Sequence, residues 1–121
     1  MWGYYMKEIK KSFQKMYKEY NKINNTELTG NFRKKNKIAL ISFGKYHIEN
    51  GIIQDRYNNS KGKNEQLWEK QLQRDRNTFM RSEQFREFIK NTGAVYTEED
   101  NINWNVGHGM TVMSKQIRFK F

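Results

Sequence analysis

Residues 2–23 read WGYYMKEIKKSFQKMYKEYNKI, and their spacing decides how the rest of the chain must fold. Trp2, Met6, Ile9, Phe13, Met16, Tyr20 and Ile23 recur at intervals of four and three. At about 100° per residue they fall within an arc of ~100° on a helix. Lys7, Lys11, Lys15, Lys18 and Lys22 fall within ~80° almost opposite. One face is therefore built for burial and the other carries charge. The charge opposes the helix locally, since like charges at i and i+4 cost about 0.2–0.5 kcal/mol per pair. An amphipathic helix of this kind needs a sheet or further helices to cover its apolar side.

Downstream, Asn24-Asn25-Thr26 and Thr29-Gly30-Asn31 disfavour continued helix. They lead into a connector with Arg33, Lys34, Lys35 and Lys37. Lys37 to Phe43 reads as a strand apolar on both sides, broken at Gly44. Asn50-Gly51 between Tyr46–Glu49 and Ile52–Asp55 is a type I′ hairpin signal, with Glu49 facing Ile52 and Ile48 facing Ile53. The loop from Asn58 to Lys63 precedes a second helix from about Asn64 to Asp75 or beyond, with Leu67, Trp68 and Leu72 on one side. Ser82 is placed to cap a third helix that buries Phe85, Phe88 and Ile89 and stops at Gly93. Strands follow at Ala94–Thr97, Ile102–Val106 and Ile117–Phe121, separated by an acidic turn at Glu98–Asn101 and by Gly107-His108-Gly109.

These elements predict an α+β fold: the N-terminal amphipathic helix and one or two further helices on a mostly antiparallel sheet, order α-β-β-β-α-(α)-β-β-β. A single domain over 1–121 is expected, with a basic helix and connector in 1–36 and a sheet with central helices in 37–121. The first two thirds are similar in element order to a double-stranded-RNA-binding domain, and Ser60-Lys61-Gly62-Lys63 precedes the second helix where such domains contact phosphates.

Composition narrows the function. The 121 residues contain no cysteine and no proline, which removes disulfide frameworks, thiolate zinc sites and proline-rich linkers. No apolar run approaches the ~20 residues of a membrane span, and lysines occupy the place of a signal peptide's apolar region. A cytoplasmic protein without membrane contact is expected. The net charge of +10 is uneven. Residues 1–37 hold ten Lys/Arg against three Glu, 38–81 eight against five, and 82–121 five against five. A charge gathered at one end is the footprint of a polyanion partner.

The expected function is non-catalytic binding of RNA or DNA, mainly by phosphate contacts, alone or within a larger nucleoprotein complex. The candidate residues are Lys7, Lys11, Lys15, Lys18, Lys22, Arg33, Lys34, Lys35, Lys37, Lys61 and Lys63. Arg118 and Lys120 on the last strand would add to them, and Tyr4 is a candidate for base stacking. An alternative is a phage or mobile-element inhibitor or accessory protein that binds a nucleoprotein machine such as a host defence complex. A second alternative, a ribonuclease-type toxin, would use His47 with Glu49 or His108 as general acid and base. No nucleophile motif, glycine-rich phosphate loop, metal-ligand spacing or cofactor site is present. Glu98-Glu99-Asp100 lacks the ligand alternation of a calcium loop and reads as a solvated turn.

Overall fold

The computed structural model describes the backbone of residues 2–49, 52–55, 61–62, 65–105 and 110–121, and side chains within 5–43, 70–100 and 114–121. In chain order the elements are α1 (Trp2–Asn24), β1 (Thr29–Arg33), β2 (Ile38–Glu49), β3 (Ile52–Asp55), β4 (Lys61–Gly62), α2 (Glu65–Met80), α3 (Glu83–Thr92), β5 (Val95–Asn105) and β6 (Met110–Lys120). The fold is α+β with an antiparallel sheet, as the sequence predicts.

Along the main path the sheet runs β4-β3-β2-β6-β5. β2 is its axis. Over its full length it pairs with β6 on one side, and on the other side first with β1 and then with β3. Glu49 faces Ile52 and Ile48 faces Ile53, the register required by a two-residue hairpin loop; the Asn50-Gly51 turn itself lies outside the described residues.

Several boundaries differ from the sequence reading, each for a physical reason. Gly44 does not end a strand. β2 passes through it, and the glycine falls where the register against β6 shifts, between Ser42 and Lys45, which is the effect of a bulge rather than a break. Thr29–Arg33 is a strand rather than a connector. Two of its residues, Gly30 and Phe32, are drawn in against α1. The acidic stretch Glu98–Asn101 is the middle of β5, not a turn, because cations beneath and beside it supply the partners that water would otherwise provide. The final strand begins at Met110 instead of Ile117. The described strands are therefore four before α2 and two after α3, and β6 from the far end of the chain completes the sheet. The likeness to a double-stranded-RNA-binding domain fails already at element order, since four strands rather than three separate α1 from α2. The segments 56–60, 63–64 and 106–109, with the loop and turn expected there, lie outside the described residues.

All three helices lie on one face of the sheet, where Ala39, Ile41 and Phe43 of β2 and Ile117 and Phe119 of β6 are turned toward them. Phe13 is at the centre, within 6.0 Å between ring centroids of Tyr17, Phe32, Phe88 and Phe119. Phe79 of α2 bridges Tyr20, Phe43 and Phe85 at 4.9–5.6 Å. Edge-to-face aromatic packing thus supplies the bulk that a chain with only 36% hydrophobic residues must concentrate in few side chains. Burial, and then the charge of Asp75, push the Tyr20 phenol above its ordinary pKa, so it stays neutral in this core. Ile23 departs from the expected burial and is 68% exposed. It sits at the margin of the apolar arc in the last turn of α1, about 50° from the arc's centre.

The caps of α3 match their sequence signals. Ser82 Oγ accepts the Phe85 N–H at 3.2 Å. Gly93 takes the left-handed conformation at φ 67°, and its N–H donates to Ile89 at 2.8 Å. Gly30 is glycine for a different reason. A Cβ there would lie 2.4 Å from Cε1 of Tyr17 and 2.9 Å from Cε1 of Phe13. Gly30→Ala is therefore expected to lower stability by about 1–3 kcal/mol through overpacking, visible as an earlier midpoint in urea unfolding with unchanged slope.

Candidate nucleic-acid interface

The lysine stripe depends on how α1 is held. Its core face rests on the sheet, and its two flanks meet different neighbours. On one flank Asn21 clasps Leu28: its Nδ2 donates to the Leu28 carbonyl at 2.8 Å, and its Oδ1 accepts the Leu28 N–H at 2.9 Å. Tyr17 and Phe13 then meet Gly30, and Phe13 meets Phe32. Two residues of strand advance about 6.6 Å and four of helix about 6 Å, so β1 keeps step with α1 while running the opposite way. The same pace brings the β1–β2 turn to the level of Ile9 and Lys10.

That turn is Lys34–Lys37, closed by the Lys37 N–H on the Lys34 carbonyl at 3.2 Å, with Lys37 in the left-handed region at φ 55°. Arg33, Lys34, Lys35 and Lys37 are all exposed. The Phe121 N–H donates to the Lys37 carbonyl at 3.0 Å, which fixes the end of β6 beside the turn. Arg33 and Lys120 both face Ile38, from opposite sides, in the register. Five cations from two remote parts of the chain thus lie at one end of the sheet; alternation with Phe32 and Phe119, which face the helices, puts Arg33 and Lys120 on the face away from α1.

Lys7, Lys11, Lys15, Lys18 and Lys22 are all exposed, as the periodicity requires. They are not equivalent. Lys11 is 3.8 Å from Glu8 and Lys15 is 4.0 Å from Glu19, exposed pairs that contribute little. The helical repeat turns Lys7 and the additional Lys10 toward the β1 flank, and Lys11, Lys18 and Lys22 straight away from the sheet. Lys15 turns to the other flank, where α1 and α3 border a groove of about 350 Å³ that includes Glu19, Glu83 and Glu87. Positive charge runs along α1 to the level of the β1–β2 turn and is bordered on the other flank by the acidic groove beside α3.

Other candidates lie elsewhere. Lys61 on β4 pairs with Gln54, which pairs with His47. Nine residues of β2, about 30 Å, separate His47 from Ile38, so the backbone at Lys61 is not part of the basic end. The side chains of Lys61, Lys63, Tyr4, His47 and Glu49, and all of His108, lie outside the described residues. Arg118 is occupied: its Nε lies 3.0 Å from Glu99 Oε1. The sequence does not single out Lys10, because it falls outside the tight lysine arc. Nor does it place Lys120 beside Arg33, since 87 positions separate them and only strand pairing joins them.

Glu98, Glu99 and Asp100 are committed to protein cations. Arg76 of α2, 4% exposed, reaches Glu98 at 3.3 Å, Asp100 at 3.0 Å, and the Glu99 and Gln116 carbonyls at 3.2 Å. Lys115, 6% exposed, bonds Asp100 at 2.8 Å. Burial alone would raise the Asp100 pKa, but hydrogen bonds from Lys115 and Arg76, with their charges, hold it below the ordinary carboxylate value. Among the described residues no group of three His, Asp or Glu is arranged to hold a metal ion.

What the basic end can do chemically is hold an extended anion. Lysine ammonium groups are mobile point charges without the planar fork that reads bases or carboxylates bidentately, so they suit phosphate charge rather than sequence. No helix among the described residues is long and apolar enough to cross a membrane. Comparison with protein-family models, with curated proteins and with solved structures finds no match.

Proposed function

We propose that the protein binds nucleic acid, without catalysis, through phosphate contacts along a ridge made of the α1 lysines and the Lys34–Lys37 turn. The observation that carries this reading is the alignment of β1 beside α1, which brings Lys34, Lys35 and Lys37 of the β1–β2 turn to the end of the stripe formed by Lys7, Lys10, Lys11 and Lys18. Packing does not account for so many cations side by side, because their mutual repulsion works against the fold. An α-helix fits the major groove of B-DNA when its whole cylinder is free. Here β1 and α3 flank α1, so the ridge meets the backbone from outside and favours charge over base sequence.

The test is a salt titration of binding to single- and double-stranded RNA and DNA. If about six cations engage B-DNA, log K falls with log salt at a slope of about −5. Reversing Lys7, Lys18, Lys34 and Lys35 to Glu together is expected to leave the fold intact, because all four are exposed. Affinity should fall by at least about a hundredfold near 0.1 M salt, while Arg86→Glu and Lys90→Glu on α3 change it only a few-fold. Absence of binding to all four nucleic acids at about 50 mM salt, or unchanged binding by the quadruple variant, overturns the reading. A host protein retained after nuclease treatment, without binding to naked nucleic acid, would assign the ridge to a protein partner instead.

A further inference from the structure

β5 ends the sheet, and among the described residues nothing pairs with its outer side. The phase of its hydrogen bonds follows from the far end of β6. Lys37 and Phe121 form a hydrogen-bonded pair one step beyond Ile38 and Lys120. Alternation in an antiparallel ladder then points the amides of Phe119 and Ile117 at β2, and those of Lys120, Arg118 and Gln116 at β5. Their partners Val95, Thr97 and Glu99 bond inward. The N–H and C=O groups of Tyr96, Glu98, Asp100, Ile102 and Trp104 therefore point away from the sheet. Arg76, donating to both the Glu99 and Gln116 carbonyls, fits the same phase.

Sheets protect their edges with short strands, prolines, bulges or unpaired charge. The opposite margin follows this rule, with β1, β3 and β4 at five, four and two residues. β5 does not. It is eleven residues long, lacks proline, and holds an unbroken register with β6. Its three carboxylates, which would repel a like strand, are matched by Arg76, Lys115 and Arg118.

We propose that the outer edge of β5 pairs antiparallel with the same edge of a second copy, joining two sheets into one about a two-fold axis at Asp100. Charge selects this occupant. Molecules of net charge +10 repel one another, yet at this margin Glu98, Glu99 and Asp100 are balanced by Arg76, Arg118 and Lys115, so it is a locally neutral surface at which two copies meet with little repulsion. In that register Glu98 faces Ile102 of the second copy and Tyr96 faces Trp104. Only Asp100 meets its own kind, and it is already held by Arg76 and Lys115. All the outward amides and carbonyls of both strands become paired. A two-fold axis normal to the sheet leaves both helix layers on the same side, so two basic ridges would face one polyanion.

Sedimentation velocity across a concentration series is the test, paired with amide hydrogen exchange. The wild-type chain is expected to sediment as twice its 14.8 kDa mass at about 100 µM. Glu98→Pro removes an outward N–H without touching the β5–β6 ladder, a substitution that edge strands tolerate, and should be monomeric. Glu98→Ala loses the same carboxylate, retains the N–H, and should remain dimeric. In the wild type, exchange at Tyr96, Glu98 and Asp100 should slow as concentration rises. A monomeric wild type at that concentration, or a folded Glu98→Pro variant that still dimerises, overturns the proposal. Should Glu98→Pro fail to fold, by circular dichroism, exchange at these amides that is independent of concentration overturns it equally.

Discussion

Replacing Phe13 by alanine is expected to lower the unfolding free energy by about 3–5 kcal/mol, a large part of the 5–15 kcal/mol typical of a domain. Phe13 is 1% exposed and joins α1 to β1, α3 and β6 through Phe32, Phe88 and Phe119. Its removal loses the transfer energy of the ring and leaves a void walled by other rings. These cannot close on it, because each is held by a second contact, as Phe88 is by Phe121 and Phe32 is by Phe121. Urea unfolding should show a midpoint shift with an unchanged slope. A loss below about 1 kcal/mol would mean that α1 is not packed through this residue. Phe13→Leu, which keeps much of the volume, should recover more than half of the loss.

The second large effect is expected at Asp100. Substitution by asparagine takes from Arg76 and Lys115, both nearly fully buried, the carboxylate they share. Breaking a fully buried pair costs about 3–5 kcal/mol. Asp100 itself is 49% exposed, and solvent screens part of the interaction, so about 2 kcal/mol is expected near neutral pH. The pH dependence has a definite sign. The Asp100 pKa is lowered in the folded protein, so its stabilisation is complete above the ordinary carboxylate value and is lost as pH falls through the depressed one. The wild type should therefore lead Asp100→Asn by a constant margin above the ordinary carboxylate range, and the margin should close as pH falls through the depressed Asp100 value. A margin that persists in acid would show that the substitution disturbs packing instead of removing charge.

Arg76 illustrates how little of this network is legible in the chain. In the sequence, Arg74 to Arg81 lacks clear helical patterning, because Arg76 occupies a core-facing position with a charged side chain. The guanidinium is buried only because Glu98, Asp100 and two strand carbonyls converge on it from residues 22 to 40 positions away. The same convergence turns the Glu98–Asn101 stretch from an apparent solvated turn into the middle of a strand. Local charge density argues for water, and tertiary ion pairing overrides it.

Helix periodicity, the Ser82 and Gly93 caps, the register on either side of Asn50-Gly51 and the α+β class are all decided by local chemistry, through side-chain spacing and backbone preference within a few residues. They hold wherever the chain is placed. The burial of Met6, Ile9, Phe13, Met16 and Tyr20, and the exposure of the five lysines opposite, follow from that spacing alone. Only the tertiary structure decides that Gly30 is a point of close approach, that β2 runs through Gly44, and that β6 lies between β2 and β5. It alone sets Lys120 beside Arg33, turns Lys7 and Lys10 toward β1 on one flank and Lys15 toward an acidic groove on the other, and leaves the β5 amides at an open edge. These features depend on pairings between residues far apart in sequence, whose energy comes from burial and ladder hydrogen bonds that exist only after the chain has closed.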